Sequence, residues 1–203
     1  EIAGAYMSFV NGGIRKEPHF VKLVRNIEGA RLLEAEHEDR EVMAPRVAFI
    51  MTNMLEDVIR RGTGIRARAT YELMVPAGGK TGTDDDGWFA GFTNNLLCVV
   101  WVGFDDNTDL SIEGAHSALP IWARFMKQAH DLPEFADPGP FEMPEGVISV
   151  DVDPETQALA THSCRSCRKE VYIAGSQPTA FRLAENAVGV STSVAGWALP
   201  TED

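Results

Sequence analysis

The apolar positions along the chain fall into two periods. In the stretch APRVAFIMTNMLEDVIRRGTG, Val47, Ile50, Met51, Met54, Leu55 and Val58 recur at helical spacing, which predicts an amphipathic helix with those residues on its buried face. Pro45 suits its first turn, Arg60 and Arg61 suit the negative end of its dipole, and Gly62 terminates it. LPIWARFMKQAH predicts a second helix, started by Pro120, with Ile121, Trp122, Phe125, Met126 and Ala129 on one face. Residues 3–10 are helix-like and stop at Asn11-Gly12-Gly13.

Between the helices the pattern turns strand-like. HFVKLVRNIEGARLLEAE reads as a hairpin about Glu28-Gly29-Ala30. Three further strands are expected over Leu73–Thr83, Trp88–Thr93 and Leu96–Phe104, joined by Asp84–Gly87 and by a tight turn at Asn94-Asn95. LLCVVWVGF is apolar at nearly every position, the pattern of a central strand covered on both faces, with Trp101 in the core. Trp122 is expected in the core as well, with one of Trp88 and Phe89 facing it. The fold class is therefore α+β, an antiparallel sheet covered by helices on both faces. From Pro133 the chain becomes proline-rich. We divide it into residues 1–132 and a linker and extension over 133–203, in which VISVDVDPETQALAT forms a short strand pair and residues 180–203 are poorly ordered.

At 203 residues, 44% of them hydrophobic, the chain can build a core. Its formal net charge of −12 argues against a nucleic-acid partner, since phosphate backbones are bound by clustered Lys and Arg. No apolar run reaches membrane-spanning length, and no signal-peptide pattern follows Glu1. With no initiator methionine, the chain reads as a piece of something longer. Of its three cysteines, Cys98 reads as a small core hydrophobe. Cys164 and Cys167 form a C-x-x-C that suits a disulfide or paired thiols. A zinc site with His162 is disfavoured because no fourth ligand lies near in sequence.

The chemistry concentrates in VPAGGKTGTDDDGWFAGF. As a phosphate loop it fails: the spacing requires glycine where Met74 stands, and Asp84, Asp85 and Asp86 follow in place of a helix N-terminus. Those aspartates read as a solvated turn, and His116 as a surface-loop residue. As a strand, Lys80-Thr81-Gly82 supplies what an acyl-transfer serine needs from its surroundings: fixed positive charge, hydroxyls for a carboxylate, and close backbone approach.

The ordered set RRGTG, VPAGGKTGT, DGWFAGFTNNLLCVVWVGFDDN and LPIWARFM resembles the C-terminal half of the transpeptidase domain of class A, bifunctional penicillin-binding proteins. YMSFVNGGI near the start and PEGVISVDVDPETQALAT with IAGSQPT near the end extend the resemblance to about Ala3–Thr179. It implies that Lys80 assists the serine hydroxyls, that Thr81 and Thr83 hold a substrate carboxylate, that Gly82 permits close approach, and that the Thr83 N–H is one of two oxyanion donors. It implies a peptidoglycan D,D-transpeptidase with no metal or organic cofactor. Its partners would be stem peptides and β-lactams, in an extracytoplasmic compartment suited to a Cys164–Cys167 disulfide.

The sequence departs from the family in lacking Ser-x-Asn altogether. Its one Ser-x-x-Lys, Ser166-Cys167-Arg168-Lys169, follows Lys-Thr-Gly in the wrong order, so Ser166 is not taken as catalytic. The nucleophile, and the half of the domain that carries it, are expected upstream of Glu1. Two alternatives stand beside this reading: a D,D-carboxypeptidase or serine β-lactamase relative, and a non-catalytic fragment.

Overall fold

A computed structural model of the chain describes residues 1–35, 38–161, 164 and 166–181. Its helices are α1 (Ile2–Val10), α2 (Pro45–Arg60), α3 (Arg66–Ala69) and α4 (Ala118–His130). Its strands are β1 (Ile14–Arg15), β2 (Leu23–Arg25), β3 (Arg31–Glu34), β4 (Arg40–Glu41), β5 (Gly78–Thr83), β6 (Gly87–Phe92), β7 (Leu97–Val102), β8 (Val147–Val152) and β9 (Arg168–Ile173).

The central unit is the antiparallel meander β5-β6-β7. Its register sets Lys80 opposite Ala90, Gly82 opposite Trp88 and Trp88 opposite Trp101. Because side chains alternate, Gly78, Lys80, Gly82, Trp88, Ala90 and Phe92 share one face, while Gly79, Thr81, Thr83, Phe89 and Gly91 share the other. Helix α4 covers the second face. Phe89 and Trp122 are both fully buried with ring centroids 4.7 Å apart, and a Cβ on Gly91 would lie 2.5 Å from the Trp122 ring. Gly91 is thus required by the depth to which the indole enters. On the first face, Phe92 meets Tyr6 of α1, and a Cβ on Gly78 would lie 3.3 Å from the Glu56 nitrogen in α2. Helices therefore cover both faces, as the fold class requires.

Several sequence expectations are corrected in detail. The central strand is β6, buried at five of six positions; β7 lies at the edge, and Trp101 is 42% exposed rather than core. An apolar run cannot by itself say which neighbours a strand has. The first strand begins at Gly78, not Leu73; Leu73 enters the core from the preceding loop.

In α2 the buried stripe is Ala48, Thr52, Leu55, Glu56 and Ile59, leaving Val47 and Met54 exposed. The small residues are turned inward because α1 and β5 approach closely: Thr52 Oγ1 donates to Phe9 O at 3.2 Å. In α4, Trp122, Met126 and Ala129 are buried as expected, but Ile121 and Phe125 are exposed and Leu119, Ala123 and His130 take the remaining inner positions.

The β2–β3 hairpin forms as predicted, and every position of its strands is exposed. Beyond Pro133, Val147–Val152 pairs with β9 along its whole length and touches its nearer neighbour only in a single bridge, Val152 to Leu159. Cys164 and Cys167 are joined as a disulfide, with Cα atoms 5.7 Å apart, immediately before β9. His162, and nearly all of the tail expected to be poorly ordered, lie outside the described residues. Among the described residues no helix is long and apolar enough to cross a membrane, and no group of three metal-ligating side chains converges.

Candidate functional site

β5 is the outer strand of the meander, so among the described residues one of its edges is open while the other is held by β6. Its first two residues are buried and anchor it; Lys80 and Thr83 are exposed, with Thr81 and Gly82 half-buried. The sequence motif thus occupies the accessible part of an anchored strand.

The four predicted site residues do not all face one way. Lys80 and Gly82 project from the α1–α2 side, Thr81 and Thr83 from the α4 side. They meet at the open edge. The Lys80 ammonium curls back and donates to the Thr81 carbonyl at 2.6 Å, which places its positive charge beside the motif backbone. A Cβ on Gly82 would lie 3.1 Å from the Trp88 Cβ, so glycine keeps this surface low above the indole. The Thr83 Oγ1 accepts the Gly114 N–H at 3.1 Å and retains its own proton.

Two residues that sequence reasoning passed over brace this arrangement. Thr63, in the turn after α2, places its Oγ1 3.0 Å from the Thr81 Oγ1. Gly114, in the loop before α4, lies on the β5–β6 backbone: a Cβ there would come within 2.3 Å of the Gly82 carbonyl and 2.7 Å of that of Trp88. RRGTG served as a helix stop and as part of the family resemblance, and neither gave Thr63 a role of its own. Gly114 carried no signal at all, because its role depends on a contact 31 residues away.

The Asp84–Asp86 turn is fixed by the Asp84 N–H donating to Asp86 O at 3.2 Å and by Leu110 N–H donating to Asp85 O at 2.8 Å. His116 is exposed, 3.8 Å from Glu113. Arg60 and Arg61 both engage acidic partners: Glu56 for Arg60, Asp57 and Glu170 for Arg61. Glu56 is almost fully buried, and burial raises its carboxyl above the usual glutamate range against the opposing pull of Arg60 and Asn53. A cavity of about 240 Å³ lies elsewhere, between α1, α2 and the segment at Phe141–Pro144, and none of the four motif residues lines it.

Known proteins resemble this chain in both sequence and structure. Residues 1–127 match the penicillin binding protein transpeptidase domain, and residues 143–182 match the C-terminal domain of penicillin-binding protein 1A. Penicillin-binding protein 1A of Aquifex aeolicus is 32% identical over 183 residues, covering 88% of this chain and 24% of the relative. Penicillin-binding protein 2D of Bacillus subtilis is 32% identical over 186 residues, covering 88% of this chain and 26% of the relative. The crystal structure of penicillin-binding protein 1A from Haemophilus influenzae superposes with a TM-score of 0.77 at 27% identity, over 90% of this chain and 32% of that one. The chain spans about a quarter of the length of the curated relatives it matches. With the family model matching well over half its residues, the chain belongs to the penicillin-binding protein transpeptidase family, whose domain it carries in part.

Proposed function

We propose that this chain forms one wall of the acyl-transfer site of a peptidoglycan D,D-transpeptidase. The observation that carries the reading is the Lys80-Thr81-Gly82-Thr83 segment exposed on the open edge of β5, inside the region that matches the transpeptidase domain.

The serine is supplied by a part of the protein outside this chain. Its Oγ attacks the carbonyl between the last two D-alanines of a stem peptide; the Oγ–C bond forms, the C–N bond breaks, and D-alanine leaves with the serine proton. The amine of a second peptide then attacks the ester, returning a proton to the serine. Lys80 lowers the cost of the serine alkoxide by fixed positive charge. Thr81 and Thr83 bind the terminal carboxylate through their hydroxyls. Gly82 keeps the strand surface low for a peptide laid alongside it. The Thr83 N–H supplies one oxyanion donor, an arrangement supported by the open edge of β5. β-Lactams acylate the same serine, and no metal or organic cofactor enters the steps. The Cys164–Cys167 disulfide supports an extracytoplasmic site of action.

The test is to supply the protein encoded by the longer reading frame with a pentapeptide donor and a labelled amine acceptor. A transpeptidase releases D-alanine and forms a new donor–acceptor amide in equal amounts. D-Alanine without the amide would indicate a D,D-carboxypeptidase. Neither product, from protein shown to be folded, would sink the catalytic reading.

A further inference from the structure

The turn after α2 touches two strands from distant parts of the sequence. Its path is fixed first by the helix it leaves. The Arg61 N–H donates to Asp57 O at 2.9 Å and the Gly64 N–H to Val58 O at 2.9 Å. A Cβ on Gly62 would lie 2.8 Å from the Val58 Cα, and one on Gly64 2.9 Å from the Ile59 Cδ1, so the turn lies flat against the last turn of α2. Thr63 emerges between these glycines and reaches Thr81 of the motif. Arg61 reaches the other way. Its Nη2 contacts Asp57 of its own helix and donates to Glu170 Oε1 of β9 at 3.0 Å. Glu170 is itself held by Arg168, and its place on β9 is set by pairing with Val150 in β8.

We propose that the C-terminal β8–β9 unit sets the placement of the Thr81 hydroxyl, with Glu170, Arg61 and Thr63 as positioning residues. The catalytic consequence rests on the acyl-transfer reading above; the mechanical link rests on these contacts alone. The chemistry of the last contact is specific. A threonine hydroxyl has one proton and two lone pairs. If Thr81 donated to Thr63, it would have no proton for an anion. If Thr63 donates, the Thr81 proton is free. A carboxylate arriving at Thr81 selects the second arrangement, because a hydrogen bond to an ionised acceptor is the stronger one. Thr63 therefore acts as the donor that keeps Thr81 ready, and the Arg61–Glu170 pair holds the turn that presents it. The link crosses from the residues that match the 1A-type C-terminal domain to those that match the transpeptidase domain. It gives the C-terminal segment a part in substrate binding without touching substrate.

The experiment uses the protein of the longer reading frame, with two readouts: hydrogen exchange in peptides spanning residues 61–65 and 78–83, and the acylation rate with a fluorescent penicillin. Glu170→Gln keeps shape and removes charge. It is expected to speed exchange in both peptides and to slow acylation about twofold to fivefold, the range of a partly exposed ion pair, with the final extent of labelling unchanged. Glu170→Asp recovers part of the rate. Thr63→Ser retains the rate, and Thr63→Val loses it to at least the same degree. Asp151→Asn breaks the 3.6 Å pair with Lys169 on the same β8–β9 unit and serves as the control, expected to change neither readout. Arg61→Ala, which removes the guanidinium whose Nη2 meets both Asp57 and Glu170, replaces Glu170→Gln if that variant fails to fold. Wild-type exchange and rate in Glu170→Gln, or equal effects from Asp151→Asn, would overturn the proposal. If the wild type takes no label at all, the acyl-transfer reading fails, and faster exchange in Glu170→Gln still decides the mechanical link.

Discussion

Lys80 and Thr81 are neighbours whose side chains leave β5 on opposite faces, and the proposed site depends on both reaching the same strand edge. The Lys80 ammonium, bound only to a carbonyl within its own motif, keeps its charge uncompensated by any carboxylate in the described contacts. Lys80→Ala in the complete protein is expected to lower the acylation rate by about 10²–10³, the cost of removing a fixed electrostatic stabiliser, while leaving thermal stability close to wild type. Stopped-flow acylation and a melting curve check the two halves.

A second residue-scale prediction concerns Glu56. Its folded pKa is raised by burial, so the ionised form costs stability at neutral pH, and the folded state gains as pH falls through that raised value. Glu56→Gln is expected to flatten that part of the pH–stability profile, at the expense of the 2.6 Å pair with Arg60, which is itself about half exposed. Denaturant melts across the mildly acidic range measure the slope; an unchanged slope contradicts the assignment. At this scale the sequence was most informative where chemistry sits in consecutive residues. Lys80 through Thr83 were legible because the motif is contiguous. Thr63 and Gly114 were not, since each acts through one contact made only after the chain has folded back.

At the scale of elements, the meander is held by the fit between β6 and α4. Gly91 faces the Trp122 ring so closely that Gly91→Ala must move the indole or the strand, and overpacking of this kind costs about 1–3 kcal/mol. Trp122→Ala, which empties a fully buried site, is expected to cost about 3–5 kcal/mol. Chemical denaturation of each variant orders them. Helices α1, α2 and α4, the β2–β3 hairpin and the Asn94-Asn95 turn were readable because local pattern and turn chemistry specify them, whereas the single-turn α3 and the two-residue β1–β4 pair were too short to show a period. What misled was the apolar count. Helix α2 carries two candidate stripes, and the one with Ala48 and Thr52 is buried because small residues permit the approach of α1 and β5. β7 looked central by hydrophobicity, yet among the described residues it pairs only with β6.

For the whole molecule, apolar positions stay exposed in a chain that spans about a quarter of the length of its curated relatives. Met54, Trp101 and the apolar residues of the β2–β3 hairpin stand exposed, and among the described residues β7 presents an unpaired edge. Expressed by itself, the chain is expected to self-associate through that edge, and Trp101→Lys to reduce the association, as charge on an edge strand does. Sedimentation velocity over a concentration series reads both. The sequence carried the family through its ordered motifs, but not the contact between the C-terminal unit and α2, which joins Arg61 to a residue 109 positions away.

We infer that this chain holds the cationic and hydroxyl wall of an acyl-serine site and not its nucleophile. Intact-mass spectrometry after incubation with a reactive penicillin, on this chain and on the protein of the longer reading frame, separates these two parts. One covalent adduct is expected on the longer protein and none on this chain. An adduct on this chain alone would contradict it and direct attention to Ser166, and the absence of any adduct on folded longer protein would contradict the acyl-serine reading itself.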